Sequence, residues 1–248
     1  MRAYGFVFAI AACSVNLAHA DSDIKCKNLI KAPYNTTPHF FAPDNTRGIG
    51  IKIWMNGKIT EIPDTRAACL PIALRYNNPG ALKTPSAGPW PNQQGKDTRG
   101  HAIFTDVQSG IRAWGLWFKK KYDSKVPQTA MNIMSIYAPP NDCVGSVGVY
   151  PNCPYGINPT REYATRLASS VHKGPDERLN IDGKDCKEGR PALYAIFTEI
   201  ATFEIGANFC GRESKTLSPQ CVVDKKIFDK AMDAVWGPIR ADTCRIES

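Results

Sequence analysis

This chain is poor in the residues that hold metals. It has only 4 His in 248 residues. Past the first twenty residues they are His39, His101 and His172, and none stands at metal-ligand spacing to another. No Cys-x-x-Cys or Cys-x-x-His pair occurs, so a zinc site is not expected. The same scarcity leaves no motif that would hold a cofactor, and none is expected. Beyond the N-terminal twenty residues no apolar run is long enough to cross a bilayer. Repeats and low-complexity tracts are absent. The basic residues are scattered, and Lys119-Lys120-Lys121 is the one tight run. It falls at a predicted helix end, where cations favour the helix dipole, so nucleic acid is not the expected partner.

The sequence is rich in export signals and cysteine. Met1-Arg2 is followed by an apolar run from Tyr4 to Leu17 and by Ala18-His19-Ala20, the pattern of a secretory signal cleaved after Ala20. That predicts a secreted or periplasmic protein. A rival reading takes Ile10-Ala11-Ala12-Cys13 as a lipoprotein box with Cys13 acylated, at the cost of an unusually short apolar run. Either way eight cysteines remain: Cys26, Cys69, Cys143, Cys153, Cys186, Cys210, Cys221 and Cys244. An even set in an exported chain predicts disulfides rather than a nucleophilic or metal-bound thiol. The pairing is open, with Cys143–Cys153 and Cys210–Cys221 the natural local pairs because each closes a short turn-rich loop. The formal charge of +8 suits attraction to an anionic polymer such as a cell wall.

Pattern predicts a mainly α chain of the α+β class. Residues 21–47 carry no periodicity and read as a lead-in. Residues 50–62 alternate apolar and polar positions around Asn56-Gly57 and predict a β-hairpin. Residues 85–100 are rich in Gly, Pro and Gln and read as a loop. Helical spacing predicts helices over 107–122, 129–137, 161–172, 191–205 and 224–236, the first capped by Asp106 and the fourth bounded by Pro191 and Gly206. The expected division is a leader at 1–20, an N-terminal extension with the hairpin at 21–70, a core at 71–210 and a disulfide-linked helical extension at 211–248.

The densest motif is Arg75-Tyr76-Asn77-Asn78-Pro79-Gly80-Ala81-Leu82. It is followed by Trp90, Gln94-Gly95, Phe104, Gly110-Ile111-Arg112-Ala113 and Tyr137-Ala138-Pro139-Pro140 with Asp142. This order resembles a family of phage- and bacteria-encoded lysozyme-like proteins with an Arg-x-Asn-Asn-Pro-Gly-x-Leu motif. It is distantly similar to the peptidoglycan glucosaminidases. In those enzymes the helix ending in a catalytic Glu comes first, whereas here its counterpart, Leu193 to Gly206, comes last, as in a circularly rearranged core. The resemblance covers about residues 75 to 207. It implies a disulfide-bonded lysozyme-like helical core acting on peptidoglycan glycan strands as a muramidase, glucosaminidase or lytic transglycosylase.

Glycoside cleavage needs a carboxylic acid with a raised pKa to protonate the departing oxygen. Glu204 stands between Phe203 and Ile205 at a predicted helix end, where apolar neighbours and the dipole both disfavour its charge. The resemblance places a Glu-x-Gly there as the catalytic acid. The family's usual His-Glu-Asn-Gly is altered here, since Phe203 and Ile205 replace the polar neighbours. Glu199 is the second candidate acid. Asp97, Asp106 and Asp142 are candidates for a second carboxylate, with Asp106 better read as a helix cap and Asp97 placed to face a ligand. A single-acid mechanism needs none of them. Asn77 and Asn78 are expected to orient the substrate, joined by Trp90, Gln94 and Tyr137. Tyr76, Trp90, Tyr137 and Tyr163 offer stacking faces for sugars, although core packing is the ordinary fate of such residues. Two other classes fit the same chain. One is a non-catalytic wall-binding or structural protein; the other is a toxin-like effector against rival bacteria, which implies an inhibitor or immunity protein as partner.

Overall fold

The computed structural model describes residues 76–144, 148–205 and 223–244, with Ala73 and three strands nearer the N-terminus. The leader, Cys13, Cys26, Cys69, Cys210, Cys221 and Gly206 lie outside the described residues. The chain is mainly helical with small antiparallel sheets. Strands β1 (His39–Phe41), β2 (Lys52–Met55) and β3 (Lys58–Glu61) pair antiparallel in that order, with Met55 opposite Lys58. That register is the hairpin expected around Asn56-Gly57.

Strands β4 (Gln93–Lys96) and β5 (Ala102–Phe104) form a second, two-stranded sheet. The segment read as a plain loop thus contains a strand. Gln93-Gln94-Gly95-Lys96 has low strand propensity, and its pairing with the buried β5 supplies what its own sequence lacks. The β4–β5 ladder shifts register between Gln93 and Gly95, so β4 carries an irregularity where glycine stands.

Five helices follow among the described residues: α1 (Val107–Asp123), α2 (Ala130–Tyr137), α3 (Thr160–Ser169), α4 (Gly189–Ile205) and α5 (Lys225–Trp236). Asp106 is the expected cap of α1, and Thr129 and Asp224, read as the first residues of their helices, turn out to be caps as well. Asp106, Thr129 and Asp224 each accept a backbone N–H two or three residues ahead, satisfying donors that a helix start leaves open. On α1 the apolar spacing is helical, and Val107, Ile111, Trp114 and Phe118 are all buried. Trp114 stacks on Phe197 of α4 with ring centroids 4.2 Å apart, and Phe197 meets Phe228 of α5 edge-on at 5.3 Å. The helix expected as part of a C-terminal extension therefore belongs to the main core. Arg190, fully buried at the start of α4, adds a polar tie: its guanidinium lies 3.0 Å from Asp233 on α5 and donates to the Gly183 carbonyl. Among the described residues no helix is long and apolar enough to cross a membrane.

Two disulfides are present among the described residues. Cys143–Cys153 is the expected local pair, and Cys186–Cys244 joins residues 58 apart. The second ties the segment before α4 to the short 3₁₀ turn Ala241–Cys244 that follows α5. A cross-link over a longer loop removes more freedom from the unfolded chain. Replacing Cys186 and Cys244 by Ser should therefore cost about 2–5 kcal/mol, and the Cys143/Cys153 pair less. Urea midpoints of the two double variants check this; equal losses would contradict it.

Candidate active site

The Asn-Asn-Pro-Gly turn is seated directly on α1. A Cβ at Gly110 would fall 2.0 Å from the Asn77 carbonyl oxygen, and one at Gly80 would fall 2.7 Å from the Trp114 ring. Glycine is required at both places for the turn to approach the helix. Asn77 and Ala81 take positive φ, at 52° and 46°. Asn tolerates that region, whereas Ala there is strained.

Both asparagine side chains turn inward. The Asn78 amide donates to the carbonyls of Leu82 and Ala102, each at 2.9 Å, and its Oδ1 accepts the Leu82 N–H at 2.9 Å. The Asn77 amide donates to the Phe104 carbonyl at 3.2 Å. Both residues are buried, at 2% and 0% exposure for Asn77 and Asn78. This corrects their expected role as groups facing substrate. Their amides splice the turn to β5, because the buried carbonyls of Leu82, Ala102 and Phe104 need donors.

The turn is also bonded to the far side of the core. The Tyr137 hydroxyl at the end of α2 donates to the Gly80 carbonyl. Tyr137 feels a second group, Glu204, one residue from the end of α4. Burial first, and the Glu204 charge second, hold the Tyr137 phenol well above its ordinary value of 10.0. Tyr163, in the first turn of α3, is raised by burial first and by Glu204 next. Glu204, on α4, thus lies near Tyr137 of α2 and Tyr163 of α3, and Tyr137 is what connects this cluster to the Asn-Asn-Pro-Gly turn. Its own carboxyl is raised from 4.5 to about 7 by burial. The side chain is half-buried, so protein surrounds most of it while some contact with solvent remains. A carboxyl in that setting is an acid that can hold its proton near neutral pH and still be reached.

Glu199, a turn and a half earlier on α4, has a different environment. It is buried, at 3% exposure, and lies 3.0 Å from the Arg166 guanidinium of α3. Arg166 in turn lies 4.4 Å from the Phe203 ring centroid, and Phe203 meets Tyr163 at 4.8 Å. The Arg166 guanidinium beside this cluster is therefore paired with Glu199. Two carboxylates on one helix are sorted by surroundings: Glu199 is ion-paired, and Glu204 is desolvated.

No family model and no curated protein sequence matches this chain.

The remaining expected residues are dispersed. Trp90 is half-buried against the core, its indole N–H donating to the Lys83 carbonyl at 3.0 Å. Gln94 is exposed on β4. No contact among the described residues ties either one to Glu204. Asp97 is not free to face a ligand: its carboxylate accepts the Arg99 and His101 N–H groups and lies 2.9 Å from the His101 ring nitrogen Nδ1. Asp106 caps α1, and Asp142 accepts the Cys143 N–H at 2.8 Å. All three are engaged by backbone N–H groups of their own segments, Asp106 at a helix start and Asp97 and Asp142 in turns. Tyr163, expected as one of several stacking faces, enters the cluster together with Arg166, whose only signal in the sequence is its spacing of three from Tyr163 on α3, which puts the two on one face.

An open cavity of about 720 Å³ lies elsewhere, at the far end of α1, lined in part by Tyr122, Gln128, Asp182 and Arg240. Arg240 and Asp182 are paired across it at 3.1 Å.

Proposed function

We propose that this chain is an exported enzyme that cleaves the glycan strands of peptidoglycan, with Glu204 as its general acid. The observation that carries this reading is the half-buried Glu204 carboxyl, raised to about 7, with Tyr137 and Tyr163 beside it. In the reaction the Glu204 proton passes to the glycosidic oxygen as the bond from that oxygen to the anomeric carbon breaks. The departing sugar keeps the proton, and the positive charge left at the anomeric carbon is captured by water or by the substrate's own N-acetyl or 6-hydroxyl group. When a hydroxyl or water is the captor, its proton returns to the Glu204 carboxylate; when the N-acetyl oxygen is, water opens the oxazolinium ring it forms and that water's proton returns to Glu204. Neutral Tyr137 and Tyr163 hold the walls, one through the Gly80 carbonyl and the other against Phe203.

The acid must be protonated to act. Cleavage should therefore be retained below about pH 7 and fall as pH rises through it, by about tenfold per unit above. Turbidity loss of purified sacculi across pH 5–9 reads this directly. A rate that climbs through pH 7 would contradict a Glu204 acid. Phe203, where the resembling family has a polar neighbour, favours one alternative: a wall-binding protein on the same scaffold, which would bind sacculi and release nothing at any pH.

A further inference from the structure

The loop between α2 and α3 leaves the site at Tyr137 and returns one turn before Tyr163. Both of those tyrosines lie near enough to Glu204 to feel its charge. From 143 to 160 the loop contains no charged residue, yet it holds four of the large apolar side chains most open to solvent among the described residues. Val149 is 79% exposed, Tyr155 71%, Tyr150 52% and Ile157 50%. Such a cluster on a monomer's surface marks a contact site.

The loop is built to hold these side chains in place. Cys143–Cys153 closes it. The Val144 N–H donates to Gly156, the Asn152 N–H to Val149, the Gly156 N–H to Cys153 and the Asn158 N–H to Asp142, at 2.8 to 3.1 Å. Thr160 and Asn158 bond its ends to the carbonyls of Ala138 and Pro139. Two tyrosines are thus presented on a cross-linked frame, with little ordering left to be done on binding.

We propose that this loop is a second contact for the glycan strand, in which Tyr150 and Tyr155 stack on sugar rings beyond those held at Glu204. The chemistry of the loop selects the occupant. A glycan offers neutral, hydroxyl-rimmed rings with apolar faces, and tyrosine matches it with an aromatic face and a polar tip. An anionic membrane surface would call for Lys or Arg among the exposed apolar groups, and the loop has neither. Its attachment at both ends to the helices that carry Tyr137 and Tyr163 makes it continuous with the candidate site.

This inference rests on the proposed glycan substrate, and its test is separable from cleavage. Tyr150→Ala/Tyr155→Ala is made in a Glu204→Gln background so that substrate is not consumed. Binding is measured by cosedimentation with purified glycan strands freed of stem peptides. The expected result is at least about a tenfold loss of affinity at an unchanged melting temperature. Tyr150→Phe/Tyr155→Phe should keep most of the binding, because the stacking face is retained. Unchanged binding in the alanine variant, or no binding before the tyrosines are changed, overturns the inference whatever cleavage assays show. So does loss of binding to phosphatidylglycerol vesicles, or of self-association by sedimentation, without loss of glycan binding. Failure of the catalytic reading would appear instead as wild type that binds strands and releases no product.

Discussion

Asn78→Ala is expected to lower the melting temperature steeply and to unfold much of the protein near physiological temperature. The side chain makes three hydrogen bonds of 2.9 Å in a site with no exposure. Truncation leaves the Leu82 N–H short of its acceptor and takes a donor from the Ala102 carbonyl and from the Leu82 carbonyl, which keeps only the Ala102 N–H at 2.8 Å. Each buried group left unmet costs about 1–3 kcal/mol, and a domain of this size has only about 5–15 kcal/mol in hand. Asn78→Asp should fare little better, since a carboxylate cannot donate to the Leu82 and Ala102 carbonyls. Circular dichroism melts of both variants check this. A melting temperature within a degree or two of wild type would mean the amide is not what holds the turn to β5.

Glu204→Gln is expected to act in the opposite sense on stability and to abolish activity. The amide is nearly isosteric and has no proton to give, so cleavage should fall by the roughly 10²–10⁴-fold that a positioned acid supplies. The stability effect follows from the raised carboxyl. Because the folded value of about 7 lies above the ordinary 4.5, the folded state holds a proton that the unfolded state has released between those pH values. Stability contributed by this group is therefore full below about 4.5 and is lost as pH rises toward 7. Above pH 7 wild type carries a desolvated charge that the variant does not. Glu204→Gln should melt higher than wild type at pH 8, by at most about 3 kcal/mol of stability, and nearly level with it at pH 4. Glu199→Gln supplies the contrast. It breaks the 3.0 Å pair with Arg166 and should lower the melting temperature at both pH values. Were Glu204→Gln fully active and Glu199→Gln inactive but folded, the acid would move back a turn and a half along α4.

Local signals in the sequence carried most of the fold. Asp106, Thr129 and Asp224 are residues whose side chains compete for backbone N–H groups, and each marks a helix start within a residue. The α1 stripe of Ile111, Trp114 and Phe118 has a period that only a helix satisfies. What local pattern could not reach were features decided across the chain. β4 exists because β5 pairs with it, and Cys186 finds Cys244 only once α4 and α5 have packed. The asparagines are the instructive case. The Asn-Asn-Pro-Gly motif stood out, but whether its amides face substrate or backbone depends on carbonyls at Leu82, Ala102 and Phe104, up to 27 residues away. Glu204 was legible as an acid between apolar neighbours at a helix end. Its proximity to Tyr137 and Tyr163 is tertiary, and so is the commitment of Arg166 to Glu199 rather than to Glu204.

The most direct test of the Glu204 site is mass spectrometry of the soluble products released from purified sacculis' glycan strands by wild type and by Glu204→Gln at pH 6. The expected result is muropeptides cut at one glycosidic linkage with wild type and at least a hundredfold less with the variant. Reducing ends would identify water as the final captor and 1,6-anhydro ends the 6-hydroxyl. Equal product from the two proteins, or none from wild type, would contradict a Glu204-dependent glycan cleavage.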